Sequence, residues 1–212
     1  MIDIHNVMRE LSSKRPIFHS EADFQHALAW EIHLKYPNCQ IRLEYNPPFV
    51  NDRMYLDLWV SNNHYYTAIE LKYITKKIHV DVDGEKFELK SHDALDLARY
   101  DFIKDITRLE KVVANQANLN GYALLLANES SLWRPAVKRN KIPNDIHFRI
   151  HEGRVLQGKL DWGPNTGEGT KKGRESALNI LGTYRLEWND FSDFDGERYG
   201  KFKFLLVRIE SM

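Results

Sequence analysis

Asp57, Glu70 and Lys72 are charged residues inside two stretches that are otherwise apolar, Met54 to Val60 and Tyr66 to Tyr73. Both stretches read as β-strands, and Ser61-Asn62-Asn63-His64 between them is turn chemistry for an antiparallel hairpin. Side chains alternate faces along a strand, so Ala68, Glu70 and Lys72 share one face, and Tyr55, Asp57 and Trp59 share a face of the preceding strand. A hairpin register that sets Asp57 beside Glu70 brings two carboxylates to ligand distance. Like charges in an apolar sheet are costly unless a cation joins them. Hard carboxylate oxygens suit Mg²⁺ or Mn²⁺, and Mg²⁺ retains waters, one of which can serve as a nucleophile. Lys72, two residues past Glu70, is placed to hold or deprotonate that water or to stabilise charge on a phosphorane-like transition state. The competing reading is a structural ion pair in which Glu70 and Lys72 neutralise one another; it leaves the second carboxylate unaccounted for.

The flanking sequence supplies elements that would position these groups. Ser20-Glu21-Ala22-Asp23 resembles a capping box with Asp in the place of Glu, and opens a helix that Pro37 stops. Glu21, Phe24, Leu28 and Glu31 share a face of it. Gln40 to Tyr45 is a strand, and Ile78 to Lys90 a second hairpin turning at Asp83-Gly84. A long helix is predicted from about His92 to Asn118, with the core stripe Ala98, Phe102, Ile106, Leu109 and Val113, closed by Asn120-Gly121. Tyr122 to Ala127, apolar on both faces, reads as a buried strand. A strand, a long helix and a buried strand predict a right-handed parallel crossover, hence an α/β fold with a mixed central sheet flanked by helices.

Asp57 followed after a short hairpin by Glu70-Leu71-Lys72 resembles the D…(D/E)XK signature of the PD-(D/E)XK, or restriction-endonuclease-like, nuclease superfamily. The resemblance covers about residues 20–128. It implies that Asp57 and Glu70 bind the metal, that the Leu71 carbonyl adds a third oxygen, and that Lys72 is the catalytic lysine. Many members use a glutamate on the first helix, a position matched here by Glu21, with Glu31 as the substitute; helix-dipole complementation accounts for Glu21 equally well. Leu56 stands where the superfamily's name has proline. The implied activity is Mg²⁺- or Mn²⁺-dependent hydrolysis of phosphodiester bonds in DNA, leaving 5′-phosphate ends. The alternatives are a catalytically inactive nucleic-acid-binding or protein-interaction module on the same fold, or a hydrolase of another phosphate ester.

Residues 1–128 would form the nuclease core. Residues 129–212 would form a β-rich C-terminal extension with basic loops, packed on the same domain. In the extension His147–Ile150 and Val155–Trp162 are expected to pair, the glycine-rich stretch from Trp162 to Gly173 to be a mobile loop, and Tyr184–Trp188 and Lys203–Ile209 to be closing strands. The 212 residues carry 30 Lys and Arg against 30 Asp and Glu, which disfavours a generally basic nucleic-acid binder. Charge is uneven, however: residues 134–174 hold ten basic and four acidic side chains, a local excess of 10 − 4 = +6. Candidate phosphate contacts are Arg99, Lys104 and Arg108 on the long helix, and Arg134, Lys138, Arg139, Lys171, Lys172 and Arg174 in the basic loops, each weighed against a solvated surface role. The nine histidines lack a zinc-binding spacing, and His19, just before the helix cap, is placed to line the site without being required there. A single cysteine, no apolar run long enough to span a bilayer and no signal-peptide pattern point to a soluble, cytoplasmic protein. A homodimer is compatible with the resemblance.

Overall fold

A computed structural model describes residues 2–50, 53–135 and 142–211. The chain opens with helix α1 (Ile4–Lys14), where the Asp3 carboxylate accepts the Asn6 N–H at 3.0 Å. The sequence analysis does not anticipate this helix, although the signal is present: Ile4, Val7, Met8 and Leu11 stand at i, i+3, i+4 and i+7 behind the Asp3 cap, and all four are buried. Helix α2 (Glu21–Lys35) is capped as expected, with the Ser20 hydroxyl accepting the Asp23 N–H at 3.1 Å, and it ends at Tyr36 before Pro37.

Strands β1 (Gln40–Tyr45), β2 (Leu56–Asn62) and β3 (Tyr65–Ile74) form a meander. The hairpin β4 (Ile78–Val82) and β5 (Glu85–Leu89) stands apart from it. That hairpin turns through Asp83 at φ 53° and Gly84 at φ 87°, the two left-handed residues a type I′ turn requires. Helix α3 (Leu95–Ala114) leads back to β6 (Leu119–Ala127), buried along its whole length. After it come β7 (Val155–Leu160), the short helix α4 (Glu168–Lys171), β8 (Leu178–Arg185), β9 (Trp188–Asp193) and β10 (Lys201–Ile209).

The main sheet has the order β1-β2-β3-β6-β10-β9. Only β3 and β6 run parallel, joined through α3; every other neighbouring pair is antiparallel. The expected α/β class, mixed sheet and parallel crossover are therefore present. The sheet separates two cores. On one side Ile69, Leu71, Leu124 and Phe204 pack with Met8 and Leu11 of α1 and Phe24 and Leu28 of α2. On the other Ala68, Ala123 and Leu125 pack with Phe102, Ile106 and Leu109 of α3, and the two-stranded sheet β7–β8 covers the same core through Leu156, Leu160 and Leu178.

Several local expectations need correction. Asn120 and Gly121 lie inside β6 rather than ending α3; the turn is made at Asn118, with φ 57°. Residues 146–148 form a 3-10 turn, and β7 pairs with β8, not with 147–150. The stretch 184–188 is the junction between β8 and β9 rather than one strand. Part of the glycine-rich stretch, 168–171, is helical. The segment after residue 128 adds two strands to the main sheet, β10 hydrogen-bonding to β6 and β9 to β10. Among the described residues no helix is long and apolar enough to cross a membrane.

Gly121 brings α3 against β6. A β-carbon added there would stand 3.2 Å from Leu109 Cβ, 3.2 Å from Val113 Cγ2 and 3.3 Å from Ile209 Cβ. Two of those three are β-carbons, which cannot yield without moving backbone. Gly121→Val is expected to destabilise the fold by about 1–3 kcal/mol through overpacking. Urea unfolding with an unchanged midpoint would count against this close approach.

Candidate metal-dependent active site

The β2–β3 register pairs Trp59 with Ala68 and Leu58 with Ile69, where the paired ladder ends, one residue short of Asp57 and Glu70. Asp57 Oδ2 accepts the Leu71 N–H at 2.6 Å, which ties the first carboxylate to the strand that carries the second. Glu70 is only 2% exposed, because β3 lies between β2 and β6. Alternation holds from Leu58 to Val60, but Leu56 belongs to the core on the α3 side rather than to that of its expected face-mates. The neighbouring strand is distorted at this point, with Glu44 at φ 49°.

Helix α3 contributes two groups that the sequence reading did not place in the site. Asp105 is buried and lies 2.8 Å from Lys72 Nζ. Arg108 spans the gap: Nη1 is 3.2 Å from Asp105 Oδ1, Nη2 is 3.1 Å from Glu70 Oε1, and Nη2 donates to the Tyr55 carbonyl at 2.7 Å. A signal was available, since Asp105 stands seven residues after Ala98 and four before Leu109, inside the apolar stripe of the helix. Arg108 had been considered only as a phosphate contact. Glu70 Oε1 and Asp105 Oδ2 are buried, and although cations stand near them, neither has hydrogen-bond geometry to any described group.

From the α2 side, the Glu21 carboxylate accepts the Tyr73 N–H at 2.7 Å, one residue past Lys72, and its charge is felt at both Asp57 and Lys72. Gln25, also not anticipated, donates to the Asp57 carbonyl at 2.8 Å and to Glu44 Oε1 at 3.0 Å. Glu31 is drawn away to Lys14 of α1 at 2.6 Å, so it is not the substitute for Glu21. His19 stacks on Phe87 and lies 2.8 Å from Glu85, where it joins the start of α2 to the β4–β5 hairpin.

Burial and crowding set the electrostatics. Burial pushes the Asp57 carboxyl up to about 6, against the opposing pull of the Leu71 N–H and Lys72. Burial, then the charges of Asp105 and Asp57, push Glu70 up to about 9. For Lys72 burial works against the cation, but the adjoining Asp105 carboxylate prevails and its pKa is raised. Lys72 is therefore an ammonium, suited to holding an anion or orienting water, and as it stands it cannot accept a proton.

No group of three or more His, Cys, Asp or Glu side chains among the described residues is arranged to hold a metal ion. The three acids expected at the metal, Asp57, Glu70 and Glu21, are thus not gathered into one ligand group; what stays near is Asp57 and Glu70 with the carbonyl of Leu71, which lies 3.4 Å from Lys72 Nζ. All are hard oxygens, and water completes such a set around Mg²⁺. The buried Glu70 oxygen without a hydrogen bond fits a group waiting for a cation.

The phosphate-contact candidates scatter. Arg99 is buried and bound to Asp145 at 2.6 Å and to the Ser131 carbonyl at 3.1 Å, a structural role that removes it from any substrate. Arg174 grips Asp101 with two hydrogen bonds, at 2.7 and 2.6 Å, and Lys171 pairs with Glu168 at 2.8 Å. Lys104, Arg134 and Lys172 are exposed. Lys138 and Arg139 lie outside the described residues.

The chain matches no protein-family model, no curated protein and no solved structure.

The raised carboxyl values have a sign. Between the ordinary glutamate range and about 9 the folded protein holds a proton on Glu70 that the unfolded chain has lost, so metal-free stability is greatest at acid pH and falls as pH rises through this window. Asp57 adds a fall of the same sign up to about 6. Glu70→Gln removes the buried acid and is expected to flatten the decline and to raise the metal-free midpoint near pH 8 by roughly 2–4 °C, equivalent to ~1 kcal/mol. Thermal melts from pH 5 to 9 check this; a parent protein whose stability rises over that range would contradict the buried, proton-binding carboxylate.

Proposed function

We propose that the chain is a divalent-metal-dependent nuclease of the PD-(D/E)XK type, cutting phosphodiester bonds in DNA with Mg²⁺ or Mn²⁺. The observation that carries this reading is the meeting of Asp57 and a 2%-exposed Glu70 on adjoining strands, Asp57 accepting the N–H of Leu71 at 2.6 Å, with Lys72 two residues past Glu70. Glu70, Asp57 and Asp105 face two cations, Lys72 and Arg108. In the metal-free protein a proton on Glu70 closes the charge difference, and a divalent ion could take that proton's place. The helix–meander–helix–strand order around the site, with β3 and β6 parallel, also agrees with a restriction-endonuclease-like core.

In this reading Asp57, Glu70 and the Leu71 carbonyl hold the ion. The bound ion would supply charge neutralisation at the scissile phosphate and a water of lowered pKa. The chain's own contributions follow from the geometry. The Leu71 N–H fixes the Asp57 carboxylate at 2.6 Å, so its free oxygen keeps one direction. Asp105 holds Lys72 as a cation, which orients the attacking water and stabilises the negative charge that develops on the phosphoryl oxygens. Glu21, bound to the Tyr73 N–H, fixes the β3 backbone next to Lys72 and adds negative potential that keeps the lysine charged. With β3 buried on both sides, the site sits on the rigid centre of the fold.

The test is incubation with plasmid, linear and branched DNA with and without Mn²⁺. Cleavage should require the ion and disappear in Asp57→Ala. Lys72→Ala should cut at least ~10²-fold more slowly while DNA binding stays near the parent level. Metal-independent cutting, or equal rates for parent and Lys72→Ala, would sink the assignment. DNA binding without cleavage by the parent would favour the non-catalytic module instead.

A further inference from the structure

Among the described residues Arg108 is the guanidinium that reaches these acids, and its hold on Glu70 differs from its hold on its other partners. It donates hydrogen bonds to the Tyr55 carbonyl at 2.7 Å and to Asp105 Oδ1 at 3.2 Å. It also lies 3.1 Å from Glu70 Oε1, where it has no hydrogen-bond geometry, whereas Arg99 and Arg174 hydrogen-bond the carboxylates they pair with. The Glu70 contact is therefore the unoriented one of the three. A guanidinium cannot lose its proton, so it can leave only by moving. Its planar fork is matched to the oxygens of a phosphate.

Resting on the nuclease reading, we propose that Arg108 is a resident counter-cation for the acids of this site: it stands at the Glu70 carboxyl in the metal-free protein, gives way to the divalent ion, and passes to a phosphate of the substrate. Lys72 cannot take this part, because Asp105 keeps it 2.8 Å away on its own carboxylate. Arg108 also contacts Asp105 at 3.2 Å and Tyr55 at 2.7 Å, so leaving Glu70 does not leave it without partners. Metal and DNA binding are then coupled through one side chain, since ion entry frees a phosphate ligand.

Two measurements test this on the full chain. Calorimetric titration with MnCl₂ compares the parent, Arg108→Met and Arg108→Lys. Fluorescence anisotropy with a short duplex of phosphorothioate linkages follows DNA binding with and without Mn²⁺. Arg108→Met should bind Mn²⁺ about tenfold more tightly than the parent, because its competitor is gone, and should lose the roughly tenfold gain in DNA affinity that Mn²⁺ gives the parent. Arg108→Lys retains a charge without the fork and should fall between them for Mn²⁺; if Arg108→Met does not fold, this variant alone must still exceed the parent. Unchanged or weaker Mn²⁺ binding in the variants, while the parent binds, overturns the counter-cation role and leaves the nuclease reading standing. A parent that binds no Mn²⁺ removes the nuclease reading itself.

Discussion

An excess of buried negative charge at the junction of β2, β3 and α3 is the constraint around which this molecule is organised. Burial and the nearby Asp105 carboxylate raise the proton affinity of Asp57 and Glu70, Asp57 adds to the effect on Glu70, and Lys72 and Arg108 oppose it only in part. Away from bulk water such a cluster costs far more than it would on the surface. It persists because the surrounding framework is rigid. β3 is hydrogen-bonded on both sides, β6 is buried throughout, and α3 is pressed against β6 where Gly121 permits it.

The topology explains why these groups meet. An antiparallel hairpin brings Asp57 to the strand that carries Glu70, where its carboxylate accepts the Leu71 N–H, a local consequence of a short turn. The parallel pairing of β3 with β6 demands a crossover, and the crossover helix is what lays Asp105 and Arg108 over the sheet. On the other face, α2 reaches the C-terminal part of β3 with its first residue, so Glu21 meets the Tyr73 N–H. The segment after 128 completes this frame rather than forming a separate unit. It adds two strands to the sheet and, through β7–β8 and the Arg99–Asp145 pair, covers the outer side of α3.

Such a site trades stability for chemistry. Two cations lie within reach of the acids but do not hydrogen-bond the buried oxygens Glu70 Oε1 and Asp105 Oδ2, and in the metal-free protein a proton on Glu70 relieves the crowding. The balance is of the sort expected where a charged ligand is to be received: carboxylates kept desolvated, a lysine kept charged, and an arginine within a few ångströms able to change partners.

Much of the framework was legible in the order of residues. Apolar stretches of β period, the Asp83-Gly84 turn, the Ser20 cap, the α3 stripe and the unbroken apolar run of β6 each report a local preference of the backbone, and local preferences are written in sequence. Asp57, Glu70 and Lys72 were visible for the same reason, as charges where the period called for apolar side chains. What sequence did not disclose depends on contacts between distant segments. Helix α1 is secured by packing of Ile4, Val7, Met8 and Leu11 against α2 and the sheet; its helical period is present in the sequence, but which elements cover that face is a tertiary matter. The fate of each basic residue was also tertiary: Arg99 faces inward to Asp145, Arg174 takes Asp101, and Arg108 reaches Glu70, although nothing in their neighbours along the chain sets the three apart. A cation's role is decided by which carboxylate the fold places within a few ångströms, and the energy of that encounter belongs to two segments at once.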